Sequence, residues 1–416
     1  MSDENKVASI DVHKKVLMVV VGSREGDAIG PKGELERRRF GTTTIDLHGL
    51  SLWMQERGVK EAVMESTAEY WKPVWAELEP YMRLHLAQAF SNRAPKGRKH
   101  DFRDAERLLR RHVAGELILS FVPEPEQRAW RTLTRMKTRL ARQRVRLHSQ
   151  VECLLEEMRI KLSCVLSDLF GASGLRILRA LAEGETDPKK LAALGDDRLK
   201  CTKEQLLDAL TGNVQAMHLE LLTLYLQQLR LVDEQMEKLH RLIAQALKPH
   251  QEAVARLAEV PGFGPDSAQQ VIAEVGVQAS TFPSAGHLAS WVGTCPGQEE
   301  SAEENYSSRS AKGNKYMRRV LTEAAQAAVK AKGSHFQVVF RRLLPRLGYK
   351  QALWAIAHRL CRMVWKILHE AVHYVEQGAY RDPRARKQRA RALAQALRRL
   401  GYDVQITPKE PATVQA

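Results

Sequence analysis

At 416 residues the chain is long enough for two or three domains, each with its own core. Lys and Arg number 65 against 49 Asp and Glu, a net charge of +16, which points to a polyanionic partner, nucleic acid before an acidic membrane surface. No window nears the roughly 18 apolar residues of a membrane span, the acidic start Met1-Ser2-Asp3-Glu4-Asn5 is unlike a signal peptide, and five scattered cysteines without a C-x-x-C pair point to reduced thiols in a cytoplasmic, nucleoid-associated protein rather than a disulfide framework or zinc motif.

In chain order, Val7–Ile10 and Val16–Val21 are two apolar runs around the polar turn His13-Lys14-Lys15, a hairpin pattern. Residues 37–44 predict a third strand and Ile45–Arg57 a helix. Glu61–Met64 is a short buried-strand pattern ending at Glu65. A helix is expected over residues 69–81, a strand over 84–89, and a helix from Asp101 to about Val113. Strands followed by alternating strands and helices predict a mixed sheet flanked by helices. In such sheets ligands gather at strand C-terminal ends. Asp11 and Glu65 fall just past two strands, and Asp101 and Asp104 open a late helix. Singly, each has a plain explanation: a turn residue, a cap, or acids favourable to a helix dipole. Four carboxylates at matching positions point instead to divalent metal, as in an RNase H or RuvC-like nuclease core. The rim of Arg98, Lys99, Arg103 and Arg107 suits a polyanion brought onto that metal.

Residues 125–167 hold apolar positions at helical spacing with dense arginine between them, and a second long helix is expected over 203–247. The pair reads as an antiparallel helical or coiled-coil region whose arginine face can lie along nucleic acid. Residues 171–197 read as a broken connection. Val260-Pro261-Gly262-Phe263-Gly264-Pro265 has a helix-hairpin-helix pattern, in which Gly262 and Gly264 would let backbone N–H groups approach a phosphate; a plain tight turn explains the same residues. Phe282-Pro283-Ser284 starts another helix. A polar loop then runs from Cys295 to Lys315, followed by a basic helix with Arg318 and Arg319. The arginine-rich residues 381–399 predict a solvated helix or arm.

Several segments occur in a fixed order: ASIDVHKK, MESTAEYWKPVW, GRKHDFRDAERL, VPGFGPDSAQQVIAEVG, FPSAGHLASWVGTCPGQEESA and KGNKYMRRVLTEAA. Together, over residues 5–375, they resemble the DEDD-type insertion-sequence transposases, the insertion-sequence one-ten family and its eleven-eleven subgroup. The resemblance implies a RuvC-like α/β N-terminal domain (1–124), a helical coiled-coil region (125–250) and a mostly α C-terminal transposase domain with a helix-hairpin-helix-like motif (251–380), and the arginine-rich sequence beyond it is a basic tail (381–416). It implies that Asp11, Glu65, Asp101 and Asp104 hold Mg²⁺, or Mn²⁺. Ser301, in Pro296-Gly297-Gln298-Glu299-Glu300-Ser301-Ala302, would be a nucleophile attacking DNA phosphate. From the residues alone, Ser301 does not stand out from Tyr306, Ser307, Ser308 and Ser310. Glu303 and Glu304 stand where the family has Gly and basic residues, so Lys312, Lys315, Arg318 and Arg319 would have to offset their charge toward a phosphate.

The activity implied is cutting and rejoining of element and target DNA, guided by a structured (bridge) RNA, by a dimer or tetramer. Two other readings remain open on the residues. One is a metal-dependent, structure-selective nuclease resembling a Holliday-junction resolvase, with water as nucleophile. The other is a non-catalytic nucleic-acid-binding scaffold.

Overall fold

The computed structural model describes residues 5–26, 28–29, 35–66, 68–89, 92, 101–297, 299–301, 304–307, 310–376 and 383–406. The chain divides into two compact units, residues 1–123 and 124–416.

The first unit runs β1 (Lys6–Val12), β2 (Leu17–Glu25), β3 (Ala28–Ile29), β4 (Glu36–Phe40), α1 (Thr44–Glu56), β5 (Val59–Ser66), α2 (Trp71–Leu78), β6 (Arg83–Ala87), α3 (Asp101–Val113) and β7 (Leu119–Ser120). They form a mixed sheet in the order β3-β2-β1-β5-β6-β7, with β4 also pairing β2. β1 and β2 are the expected antiparallel hairpin, β1, β5 and β6 run parallel, and β7 closes antiparallel. The third strand is shorter than expected, ending at Phe40 before Gly41, and the short strands β3 and β7 were not anticipated from the sequence.

The period-two rule sorts these strands onto two faces. Ala8, Ile10 and Val12 of β1, with Ala62 and Met64 of β5, pack with Leu50, Trp53, Met54, Val74 and Leu78 of α1 and α2. Val7 of β1, with Met18 and Val20 of β2, packs with Ala105, Leu109 and Val113 of α3. Val63 and Ala87 meet Leu108 of the same helix. The residues that alternate with the first core therefore face α3: Val7, Ser9 and Asp11 on β1, and Glu61, Val63 and Glu65 on β5. The buried Ser9 hydroxyl donates to the Ala105 carbonyl at 2.7 Å, tying α3 to β1.

Among its described residues the second unit is helical apart from one small hairpin. It runs α4 (Pro125–Glu157), α5 (Leu162–Val165), α6 (Ala172–Ala182), α7 (Pro188–Ala193), α8 (Lys203–Leu210), α9 (Ala216–Ala246), α10 (Gln251–Ala258), α11 (Pro265–Val275), α12 (Ala285–Val292), β8 (Glu299–Ser301), β9 (Glu304–Ser307), α13 (Lys315–Ala328), α14 (His335–His369, kinked at Gly348) and α15 (Pro383–Arg399). α4 and α9 lie antiparallel: Leu140, Leu147, Val151 and Leu154 share a core with Leu222, Leu229 and Val232, and Arg144 pairs with Asp233 at 3.0 Å.

Three expectations change here. The helix placed over residues 203–247 is two helices, because the Lys161 N–H binds the Ala209 carbonyl and the Asn213 N–H binds the Met158 carbonyl at 2.8 Å each, turning the chain against the end of α4. Residues 171–197 are not an irregular connection. They form α6, which buries Ile177, Leu178 and Leu181, and α7, capped by Asp187. Within the polar loop, Glu299–Ser301 and Glu304–Ser307 pair as an antiparallel ribbon. Among the described residues no helix is long and apolar enough to cross a membrane.

Candidate active site

Asp11 and Glu65 are direct partners in the parallel register of β1 and β5. Both therefore project on the α3 face near the C-terminal ends of neighbouring strands, which lie about 4.8 Å apart. Asp104 comes from the first turns of α3, where Ala105 is held over β1. Asp101 opens α3; its side chain lies outside the described residues, as do Arg98 and Lys99. Arg103 is exposed on the same helix.

Three further residues join this group. The Asn92 amide donates to Glu65 Oε2 at 2.5 Å. Arg107 pairs with Asp104 at 2.9 Å and donates to the Asn92 carbonyl at 3.3 Å. His13 lies 3.2 Å from Asp11. Burial is the main force raising the Glu65 carboxyl above its ordinary pKa; Asn92 and Arg107 oppose it, and the negative charges of Asp11 and Asp104 add to it. The sequence marked Arg107 as part of the basic rim, whereas Asn92 carried no local signal.

The donor set is all oxygen, which suits Mg²⁺ or Mn²⁺. The Glu65 carboxyl is raised first by burial and then by the charges of Asp11 and Asp104, and a divalent ion between these acids would offset that second, smaller part. The described carboxylates are not drawn to the spacing of one ion. Among the described residues, the His/Cys/Asp/Glu group with every ligand atom within 4.8 Å is Glu61, His85 and His112.

In the second unit, α12 ends at Gly293, which has left-handed φ of +77°. The chain returns through Gly313, also at positive φ. A Cβ on Gly293 would stand 2.5 Å from the Ala311 carbonyl oxygen, and one on Gly313 would stand 2.1 Å from that of Val292. Only glycine lets these two strands of a neck touch. Arg318 clamps the neck, donating to the carbonyls of Gly293 at 2.5 Å and Ala311 at 2.7 Å while lying 4.4 Å from the Trp354 ring. Beyond it, Ser301 ends β8 opposite Glu304. The Ser301 side chain lies outside the described residues.

Two models of known families match. The DEDD-type IS110 transposase model covers residues 8–160, and the model described as "Transposase IS116/IS110/IS902 family" covers residues 254–340. The chain belongs to the IS110 family of transposases. It is 28% identical over 314 residues to a "Probable family 20 transposase" of Pseudomonas aeruginosa, spanning 74% of this chain and 83% of that protein. It is also 26% identical over 283 residues to a "Putative transposase y4pF/y4sB" of Sinorhizobium fredii, spanning 66% of this chain and 64% of that one. As a transposase it acts on DNA, and the DEDD family suggests divalent metal use.

The basic and glycine positions of this transposase differ in how they are engaged. Lys312 and Lys315 are exposed. Arg318 is committed to the neck, and Arg319 pairs with Glu323 at 2.8 Å. Gly262 has a φ of +96°, and a Cβ there would stand 2.1 Å from the Ala324 carbonyl oxygen of α13. The Gly264 N–H donates to Ser267 Oγ at 2.8 Å. On α4, Arg131 and Arg135 turn inward to Glu274, while Arg139, Arg142 and Arg146 are exposed along a groove with Gln143, Gln150 and Gln228.

Sequence reasoning passed over Glu274, which is 2% exposed. Arg135 forks onto its two oxygens at 2.7 and 2.9 Å, and the Asn314 amide donates to Oε2 at 2.9 Å. Asn314 in turn caps α13, accepting from the N–H groups of Tyr316 and Met317. Its signal was a carboxylate within the apolar run of α11, an expensive residue to bury without a partner.

Proposed function

We propose that the transposase cuts and rejoins DNA strands through a phosphoserine intermediate on Ser301, assisted by metal held at Asp11, Glu65, Asp101 and Asp104. The observation that carries the reading is the facing pair Asp11 and Glu65, with Asp104 beside them and the Glu65 carboxyl raised by burial and by its acidic neighbours. Mg²⁺ at such carboxylates supplies charge stabilisation to a phosphate under attack. Ser301 Oγ would bond to phosphorus as the P–O bond to the leaving DNA oxygen breaks, and that oxygen leaves as a hydroxyl. A second DNA hydroxyl would then displace the serine and restore the diester. One bond is exchanged for a like one at each step, so rejoining needs no ATP.

Lys312, Lys315 and Arg103 are exposed cations suited to phosphate, and Arg139, Arg142 and Arg146 form an exposed stripe for a nucleic-acid backbone. A structured guide RNA encoded outside the chain would select the DNA. The reading requires both units of the chain, and a homodimer or tetramer at a synapse of two duplexes.

The test is a trapping assay with the flanking non-coding RNA, Mg²⁺ and labelled donor and target DNA on denaturing gels. A DNA-linked protein band that disappears in Ser301→Ala, in Asp11→Ala and without Mg²⁺ is the expected result. Cleavage with no linked protein, undiminished in Ser301→Ala, would replace the reading with a resolvase-like nuclease. Omitting the RNA with no effect on site choice would remove the guide.

A further inference from the structure

The face of the sheet beneath α3 carries a second polar cluster. Glu61 on β5 lies four residues before Glu65, His85 lies on β6, and His112 lies in the last turn of α3, eight residues after Asp104. Four residues of strand span about 13 Å and eight of helix about 12 Å. The cluster therefore sits at the opposite end of the sheet from the carboxylates. Glu61 Oε1 is 2.8 Å from His85 Nε2 and 3.1 Å from His112 Nε2. The three side chains are 18%, 22% and 8% exposed. His112 and Glu61 make an aligned hydrogen bond. The His85 Nε2 atom is shielded from solvent and, despite its short distance to Oε1, is not aligned with it as a hydrogen bond. It is a shielded polar atom lying beside the same Glu61 oxygen that His112 reaches.

We propose that Glu61, His85 and His112 form a binding site for a zinc-class divalent ion, separate from the carboxylate site and chemically unlike it. Two imidazole nitrogens and one carboxylate oxygen are a common three-residue set for Zn²⁺ and its neighbours, with water at the fourth position. Bonds of about 2.0–2.1 Å in a tetrahedron put ligand atoms roughly 3.3 Å apart, close to the separations seen here. All three ligand atoms lie within 4.8 Å of one another. Metal binding needs neutral imidazoles and an ionised carboxylate. Burial, then the facing His85, favours neutral His112 against the opposing pull of Glu61. Arg24, 3.8 Å from Glu61 Oε2, leaves Oε1 for the ion and holds the carboxylate from its other side.

The ion would join β5, β6 and α3 at one point. α3 carries Asp104 at its other end, so a clamp at His112 fixes how far that helix can slide along the sheet. Without an ion, the same residues are a Glu–His pair with a second imidazole left poorly bonded.

The experiment uses the full chain without a histidine tag, stripped by chelation and titrated with Co²⁺ while visible d–d absorption is recorded. One equivalent should give the intense bands of four-coordinate Co²⁺. One equivalent of Zn²⁺ should displace it, and excess Mg²⁺ should not. The signal should persist in the double variant Asp11→Ala/Asp104→Ala. In His85→Ala and His112→Ala the affinity should fall by more than the roughly 10- to 100-fold that loss of an outer hydrogen-bond partner costs. His112→Gln, which retains a hydrogen-bonding side chain toward Glu61, serves if alanine loosens the helix. A wild-type protein with no four-coordinate Co²⁺ spectrum overturns the site whatever the variants do. So does a signal that survives in the histidine variants, or one lost with Asp11 and Asp104.

Discussion

Glu65 is a residue unfavourable to the fold for which the proposed chemistry has a use. Its carboxyl is pushed up chiefly by burial, and Asp11 and Asp104 add to the strain of ionising it. Removing the charge while keeping the shape should relieve that strain. In a chelator-containing buffer at neutral pH, Glu65→Gln should be more stable than wild type, by up to about 1 kcal/mol after allowing for solvent screening. Gln keeps an oxygen toward the Asn92 amide, so the gain is not cancelled by a lost hydrogen bond. Adding Mg²⁺ should reverse the order, since wild type gains from binding the ion and the variant loses one of its oxygen ligands. Thermal melts of the two proteins with and without Mg²⁺ check this; a variant less stable in chelator would show that the acids are not in conflict. Asp11 and Glu65 were legible in the sequence because strand alternation is a local rule. Asn92 was not, because only the fold brings a lone loop amide to Glu65, 27 residues away in the chain.

Among the elements, α4 was expected to offer one arginine face to nucleic acid, and the structure divides that face. Arg131 and Arg135 are spent on Glu274 of α11, and burial lowers Arg131 to about 10. Arg139, Arg142 and Arg146 stay exposed. Periodicity showed that α4 was a helix but not which arginines had internal partners, since those lie about 140 residues away. The Gly262 turn follows the same logic. Its glycine was legible, and its close approach is to the α13 backbone at Ala324. Breaking the Glu274 cluster tests its importance. Glu274→Ala would leave the buried Arg131 and the half-buried Arg135 without their carboxylate and should cost about 3–5 kcal/mol. Glu274→Gln keeps an acceptor and should cost less. Denaturant melts give both values, and equal, small losses would show that the cluster is dispensable. Glu274 also holds Asn314, the cap beneath the Ser301 neck, so Glu274→Gln should lower formation of the DNA–protein adduct more than it lowers DNA binding.

For the whole molecule, the proposed chemistry asks for more than one copy, and α9 offers a surface for it. Leu222 and Leu229 form one apolar seam, seven residues apart and buried with α4. Met217, Leu224 and Leu231 form another at the same spacing and are 58%, 51% and 53% exposed. A seven-residue apolar repeat is the pattern with which a helix packs along a second helix, and a second copy of α9 presents the same repeat in return. Leu224→Lys/Leu231→Lys should therefore turn a dimer into a monomer in light scattering while leaving the helix content by circular dichroism unchanged, because neither side chain is part of the core. If the carboxylates of one subunit serve Ser301 of another, a mixture of Asp11→Ala and Ser301→Ala proteins contains one complete set of groups in each mixed dimer. Such a mixture should recover adduct formation that neither variant shows alone. Adding Leu224→Lys/Leu231→Lys to both proteins should abolish the recovery. Recovery that survives the lysines would move the joint elsewhere. No recovery from mixtures in which subunit exchange has been demonstrated would mean that each chain completes its own site.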